Sequence, residues 1–477
     1  LGPEAQAFFK AQNQLAPVSL RLNPQKLSSP PLSSHQFQSV PWCSEGFYLK
    51  ERPVFTLDPR FHSGAYYVQD ASCMLLSAVL AQLPQWQQAD RVLDLCAAPG
   101  GKSTLLKSQL PQQACLVSNE VVPARAKVLK ENLTKWGCDR VFISQNQPID
   151  FRALTHSFDV IVVDAPCSGE GLFRRQPDAI AEWSAAQVTF CAHRQETIIQ
   201  DIWPCLAESG LLIYSTCTWN TQENEQLLDA LSAHLRFEVT PLSFPEGWGV
   251  HEHHGIYRCL PHRMQGEGFS ICVLKKIEAT HGQATRPTAR EKKKQRHRQK
   301  KAQPFALPQE IKQWFTVPSK YVTQDLISQG NSIVYWPASQ QDFLQDLHAH
   351  LREVQGAMPL ATLKGRQWVP ELTWLLSDVF SPNPSVFAEH PLSLEMALRY
   401  LYGEALPAHH HTGQQQSSWQ WCSFAGIPLG WVKQTPSHFN NYWPKSWKIR
   451  QRFLTVDAET NLQLCLPVEA VRPSDRL

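Results

Sequence analysis

The stretch Arg91–Lys102, RVLDLCAAPGGK, constrains the fold of this chain more than any other. Val92, Leu93 and Leu95 form a short apolar run around Asp94. Cys96, Ala97, Ala98, Pro99, Gly100 and Gly101 then strip the backbone of side-chain bulk, and Lys102-Ser103-Thr104 opens a helical pattern. A buried strand that breaks into a glycine turn and then a helix is the ligand-binding corner of a doubly wound sheet. The glycines let a ligand lie against the backbone, and the helix amino terminus offers free N–H groups. The spacing is neither the GxGxxG of dinucleotide enzymes nor the GxxxxGK[ST] of a P-loop. Alone, the corner predicts a strand–turn–helix unit and leaves the ligand open.

The flanking chain repeats that rhythm. Strands are expected at 92–95, 115–118, 141–144, 160–164 and 211–215, with helices at 103–110, 124–136, 179–207 and 222–234. Alternation of this kind means an α/β fold with a mostly parallel sheet covered by helices on both faces. Segments 237–239 and 271–274 read as closing strands, so this domain runs from 70 to 276. Residues 1–69 read as a small α+β module, with a helical start around Phe8 and Phe9 and strands at 19–22 and 40–49. Between Arg286 and Lys301 fall nine lysines and arginines with almost no apolar residue. Residues 277–304 are therefore expected to be a basic, solvated linker that also suits RNA contact. Nine of the 16 tryptophans lie beyond Pro304, so the chain folds again, as an intermediate domain at 305–385 and a last one at 386–477.

Composition narrows the class. The 477 residues suggest about three domains. A net charge of +3 leaves any attraction for nucleic acid to local patches. Thirteen cysteines without a CxxC pair argue against a disulfide framework or a zinc ribbon. His251, His253, His254, Cys259 and His262 are too loosely spaced to predict a metal site, and His409, His410 and His411 read as a surface loop. No apolar run approaches the ~18 residues that span a membrane, so a cytoplasmic protein is expected.

In a doubly wound sheet the ligand lies beyond the carboxyl ends of the strands, so the strand-end residues carry the chemistry. Glu120, 26 residues after Asp94, is placed to accept from both hydroxyls of a ribose, and Asn146 to meet an adenine edge. The fourth strand ends in Asp164-Ala165-Pro166-Cys167-Ser168-Gly169 and the fifth in Ser215-Thr216-Cys217-Thr218. One strand-end cysteine is ordinary packing; two on adjacent ends, one beside an acid, suggest nucleophilic chemistry. A free thiol near pKa ~8.5 needs local activation for that.

Together VLDLCAAPGGK, DAPCSGEG and YSTCT resemble the Sun-type RNA 5-methylcytosine methyltransferases, which use S-adenosylmethionine; Tyr67–Ser72 and Glu223-Asn224-Glu225 also match. The resemblance covers about 270 residues of leading module and catalytic region. Residues 390–450 are similar to the PUA-like end of the RsmF-like branch, which methylates a cytosine of small-subunit ribosomal RNA. The resemblance implies a Rossmann-like class I methyltransferase domain and a terminal PUA-like β-barrel. It makes Cys217 the nucleophile, Cys167 the residue that helps release product, and Asp164 a ligand of the base near N3 and N4. Cofactor contacts carried over are Cys96, Ala97, Ala98, Pro99, Gly100, Gly101, Lys102, Glu120, Asn146 and Asp164. Asn146 departs from the family pattern, which has Asp there. The implied partner is 16S rRNA or the small ribosomal subunit, met by a monomer with the target base flipped out. Arg174 and Arg175, just beyond the fourth strand, are expected to hold its phosphates. Lys445 and Lys448, interleaved with Tyr442, Trp443 and Trp447, are expected to contact RNA through stacking and charge. The rival readings are a tRNA methyltransferase and a noncatalytic ribosome-assembly factor. A DNA-type enzyme would leave the Thr-Cys-Thr motif unexplained, and an amino-group methyltransferase would need no cysteine.

Overall fold

The computed structural model describes residues 2–27, 37–277, 307–316, 325–352, 354–355, 358–377, 379, 381–407 and 418–450. The basic linker from 278, the histidine run at 409–411 and the chain after 450 lie outside the described residues.

The leading module is a helix, Ala5–Gln12, and an antiparallel sheet of β1 (Val18–Leu22), β2 (Phe37–Ser39), β3 (Gly46–Leu49) and β4 (Tyr66–Val68), in the order β2-β3-β1-β4. The single strand expected at 40–49 is instead a turn leading into β3. Pro41 cannot donate to a ladder, and Gly46 N–H bonds back to Cys43 O.

The central sheet holds β5 (Arg91–Asp94), β6 (Cys115–Asn119), β7 (Val141–Ser144), β8 (Phe158–Asp164) and β9 (Leu206–Thr216). These five are parallel, in the order β9-β8-β5-β6-β7, so the strand order reverses between β5 and β8. Beyond β9 come β10 (Phe237–Val239), β11 (His251–His253), β12 (Ile256–Cys259) and β13 (Phe269–Lys276), all antiparallel to their neighbours. The long helix expected at 179–207 is broken. Asp178–Glu182 ends at Trp183, Ser184 caps a new helix, Ala185–Ile202, by accepting from Gln187 N–H, and Pro204 closes it.

After the linker come a short helix, Gln309–Lys312, and β14 (Phe315–Thr316), β15 (Leu326–Gln329) and β16 (Ser332–Tyr335), and the chain then returns to the central sheet. Trp336, Phe343, Leu344, Leu347 and Leu351 enter the same core as Leu93, Phe142 and Phe158. Phe343, on the Gln341–His350 helix, meets Phe158 edge-on at 5.5 Å, and the Arg91 guanidinium lies 4.5 Å above the Phe343 ring. β17 (Val354–Gln355) then adds antiparallel to the edge of β7. A helix and a strand that the sequence groups with the intermediate region are thus part of the catalytic layer. β18 (Met358–Lys364) and β19 (Gln367–Pro370) complete a four-stranded sheet with β15 and β16, while β20 (Ser381–Pro382) pairs with β14.

The last module orders β21 (Ala388–Pro391), β22 (Leu406–Pro407), β23 (Trp419–Phe424), β24 (Ile427–Gln434) and β25 (His438–Asn441) as β21-β23-β24-β25-β22 around the Leu394–Leu401 helix. Among the described residues these five strands form one hydrogen-bonded sheet. This module packs on the first one. Ile427 joins the core of Leu20, Leu22 and Phe47, and Lys135 Nζ sits over Trp447 at 5.2 Å and Phe61 at 5.8 Å.

Candidate active site

The glycine corner is held from three sides. Gly100 has φ 117°, a conformation that a side chain would strain, and it starts the Gly101–Gln109 helix. Arg125 donates to Ala98 O at 2.7 Å and Asn132 to Pro99 O at 2.8 Å, both from the Pro123–Trp136 helix. From the leading module the buried Arg21 donates to Thr104 Oγ1 at 2.6 Å. The neighbouring strand ends are stitched together by Asn119. Its Nδ2 donates to Leu95 O and Asn146 O, each at 3.0 Å, and its Oδ1 accepts from Asn146 N–H.

Two buried acids face this corner. Asp94 accepts from Ser103 Oγ at 2.6 Å, while its other oxygen is buried without a partner. Burial pushes its carboxyl up to about 7, against the pull of the Ser103 hydrogen bond. Glu120 is 3% exposed, accepts from Val122 N–H at 2.9 Å and stands 3.6 Å from Arg125.

The thiols meet on the other side of the strand reversal. Asp164 and Ser215 are register partners on β8 and β9, and two loops leaving those ends bring Cys167 Sγ to 2.8 Å from Cys217 Sγ. Asp164 accepts from Ser215 Oγ at 2.9 Å and pairs with Lys102 Nζ at 2.7 Å. A third of the Asp164 side chain stays open to the cleft. Lys102 thus leaves the glycine turn, where the resemblance implies a cofactor contact, and delivers its ammonium to the acid beside the thiols. Burial opposes that charge, but Asp164 and the Cys73 sulfur outweigh it and hold the Lys102 pKa above its ordinary value. The hydrogen bond with Cys217, and then burial, push the Cys167 thiol well up. Two sulfurs this close resist a double negative charge.

A buried polar frame fixes both loops. Glu223 accepts from Ser168 N–H at 3.0 Å, Gln195 Nε2 at 2.6 Å and Asn220 Nδ2 at 2.8 Å. Glu170 accepts from the N–H groups of Trp219 and Asn220 at 2.9 and 3.1 Å, and Tyr214 donates to Glu223 O at 2.7 Å. Gly171 and Gly268 press together so closely that an added Cβ on Gly171 would lie 2.6 Å from Gly268 Cα and 2.8 Å from Cys217 O. Glu223 and Asn224 stood out in the sequence, as did Tyr214 within YSTCT, whereas Gln195 did not. The signal for Gln195 was available, because it is the polar member of the buried helical stripe Val188, Cys191, Gln195, Ile198, Ile199, Ile202.

The remaining expected residues divide. Arg175 is exposed at the end of the Cys167 loop, as an RNA contact requires. Arg174 is not available, because its side chain is 5% exposed, donates to Ala11 O and Gly266 O, and faces Glu267 at 3.6 Å. It ties the leading helix to the domain. Lys445 is exposed, whereas Lys448 lies over Gly403 and donates to its carbonyl at 3.4 Å. Both belong to the last module and take no part in the hydrogen-bonded frame around the thiols. Asn146 is 2% exposed and bonded within the protein, its Nδ2 to Ser144 Oγ at 2.7 Å and its Oδ1 to Arg352 N–H at 3.0 Å. His253 pairs with Glu225 and His262 with Glu4, and no group of three potential metal ligands occurs among the described residues.

This strand order, with a glycine corner at the reversal and acids at successive strand ends, is the Rossmann-like fold of methyltransferases. Residues 81–275 match the family described as 16S rRNA methyltransferase RsmB/F. Residues 1–71 match the N-terminal domain of 16S rRNA methyltransferase RsmF, and residues 387–449 the methyltransferase RsmF PUA domain. These three matches follow one another along the chain, so its leading, central and last modules are each similar to parts of the RsmB/F methyltransferases. It is similar to the ribosomal RNA small subunit methyltransferase F of Serratia proteamaculans (strain 568), 36% identical over 250 residues, 50% of this chain and 52% of that protein. The protein of the same name from Enterobacter sp. (strain 638) is 34% identical over 285 residues, 57% of this chain and 59% of that protein. The chain therefore spans little more than half the length of the curated relatives it matches. The crystal structure of PH0851 shares the fold, with a TM-score of 0.53 and 24% identity over 58% of this chain and 63% of that one.

Proposed function

We propose that this chain is an S-adenosylmethionine-dependent RNA (cytosine-C5)-methyltransferase acting on a cytosine of 16S rRNA. The observation that carries the reading is the pair of thiols 2.8 Å apart at adjacent strand ends, beside a Lys102–Asp164 ion pair. The names of the relatives support the substrate.

The corner suits the cofactor. Its backbone is stripped of side chains from Ala97 to Gly101, Gly100 holds a positive φ, and a buried Asp94 oxygen awaits a partner. Cys96–Gly101 would line S-adenosylmethionine and Glu120 would accept from its ribose hydroxyls. When bound, the cofactor supplies a methyl group from its sulfonium.

The protein's part is to make carbon 5 of cytosine nucleophilic. Cys217 Sγ adds as a thiolate to carbon 6. The Asp164 carboxylate accepts from the exocyclic amine of the base, and the Lys102 ammonium offsets the negative charge that spreads onto N3 and O2. Once Cys217 is bonded to carbon its sulfur is uncharged, and the principal cause that holds Cys167 protonated disappears. Cys167 can then ionise and take the proton from carbon 5 as the Cys217–carbon 6 bond breaks.

Methyl transfer from labelled S-adenosylmethionine to small-subunit rRNA tests the reading. Cys217→Ala should abolish methylation and form no covalent RNA adduct. Cys167→Ala should attack, transfer the methyl group and stall, leaving a protein–RNA band that survives a denaturing gel. An adduct in Cys217→Ala but not in Cys167→Ala would overturn the assignment, and a wild-type protein inert on rRNA would overturn the substrate.

A further inference from the structure

Asn146 stands at the end of β7, yet its acceptor is taken by a residue 206 positions further on, since Arg352 N–H donates to Asn146 Oδ1 at 3.0 Å. The helix that leads to Arg352 is anchored at its start. Gln340 Nε2 donates to Asp90 O and Gln113 O, just before β5 and β6, so the Gln341–His350 helix starts at the amino edge of the sheet. Phe343, Leu344 and Leu347 bury it across the sheet face. Leu351 turns extended (φ −99°, ψ 141°) and is buried, and Arg352 arrives at the carboxyl edge. Val354 and Gln355 then pair with Ser144 and Ile143. The chain beyond the linker thereby reaches the strand end where an adenine edge was expected to meet Asn146.

We propose that Leu351 and Arg352 wall the adenosine end of the cofactor site, and that Asn146 is the positioning residue that fastens this wall rather than a direct ligand of adenine. The inference rests on the reading that a nucleoside cofactor lies along the strand ends. Asn119, bonded to Leu95 O, Asn146 O and Asn146 N–H, transmits the placement to the glycine corner. A carboxylate at 146 would keep the acceptor for Arg352 N–H, whereas alanine would not. The Arg352 side chain is exposed, so only its backbone N–H enters the argument.

Hydrogen-exchange mass spectrometry on the full chain tests the fastening, and calorimetry with S-adenosylmethionine tests the wall. Asn146→Ala should speed exchange at Arg352 about fivefold to tenfold, the worth of one hydrogen bond, while Asn146→Asp should not. Arg352→Pro deletes the donor after a residue already in the extended conformation that precedes proline. Asn146→Ala and Arg352→Pro should each weaken cofactor binding by a similar factor, and the double variant no further than either. Unchanged exchange in Asn146→Ala would overturn the fastening. Weaker binding in Asn146→Ala with normal binding in Arg352→Pro would overturn the wall and return Asn146 to direct contact. A wild-type protein that binds no S-adenosylmethionine would overturn the underlying cofactor reading, while the exchange result would still report on the hydrogen bond.

Discussion

The two halves of the sheet's carboxyl edge are built in different ways. At the ends of β8 and β9 most of the frame around the thiols comes from short, nearby sequence. Asp164, Cys167 and Glu170 lie on one loop, Cys217, Asn220 and Glu223 on the next, and the two loops bond to each other. At the ends of β6 and β7, Glu120 and Asn146 are set by their own strands, but Asn146 is completed by Arg352 from beyond the basic linker. A locally built site holds its geometry through a polar frame. A site closed by distant chain depends on how that chain docks, so the two halves should fail separately.

The largest separation is expected at Glu120. On the proposed reading, Glu120→Ala removes a charged acceptor from two ribose hydroxyls, each hydrogen bond worth roughly 1.5–3 kcal/mol, so cofactor affinity should fall by about 100-fold or more. Calorimetry reads that loss directly, while the lost Val122 N–H bond should lower the urea midpoint only modestly. Wild-type affinity in this variant would remove Glu120 from the cofactor side.

Asp94 sits at the boundary between the halves, and its effect appears in stability. The folded protein holds its carboxyl up at about 7 through burial, against an ordinary value of 3.8, so the folded state binds this proton more tightly than the unfolded chain. Its contribution is therefore complete below about pH 4 and is lost as pH rises through about 7, a change of at most about 4 kcal/mol. Asp94→Asn should flatten that part of the profile. Urea unfolding from pH 4 to 8 checks it, and parallel curves for the two proteins would show that Asp94 does not titrate in this way.

On the thiol side, Glu223→Ala should leave cofactor affinity intact and lower kcat by about 100-fold, because three donors lose their acceptor and both cysteine loops loosen. Steady-state kinetics with a cofactor titration distinguishes this from the Glu120 result. Equal losses in KM for the cofactor would mean that the halves are one unit.

The same division explains what the sequence made legible. The glycine corner, the acids and both cysteines could be read because strand ends in a doubly wound sheet converge by topology alone. The helix break at Trp183-Ser184 could not, since only the Ser184 cap marks the new start. Arg174 and Arg175 look alike in sequence. They separate only because Arg174 meets Ala11 and Gly266, contacts made across 163 and 92 residues. Lys102 was read with the turn that precedes it, whereas its long side chain spans to Asp164. Asn146 could not be paired in advance with Arg352, since no local pattern announces a backbone donor on another domain.

The smallest effect is expected at Arg175, and it tests whether the thiol side extends onto the substrate. The residue is exposed and follows the Cys167 loop through the Glu170–Leu172 turn, with its N–H bonded to Leu172 O at 2.9 Å. Its backbone is thus fixed while its guanidinium is free to meet a phosphate. Arg175→Ala should leave stability and cofactor affinity unchanged, because no contact within the frame is lost. Binding to small-subunit rRNA should weaken, with the slope of log K against log salt falling by about one, the share of a single phosphate contact. Anisotropy titrations between 50 and 200 mM salt would resolve that change. An unchanged slope would mean that the RNA path does not cross this loop, and the phosphate contacts beside the thiols would then have to come from the leading or last module.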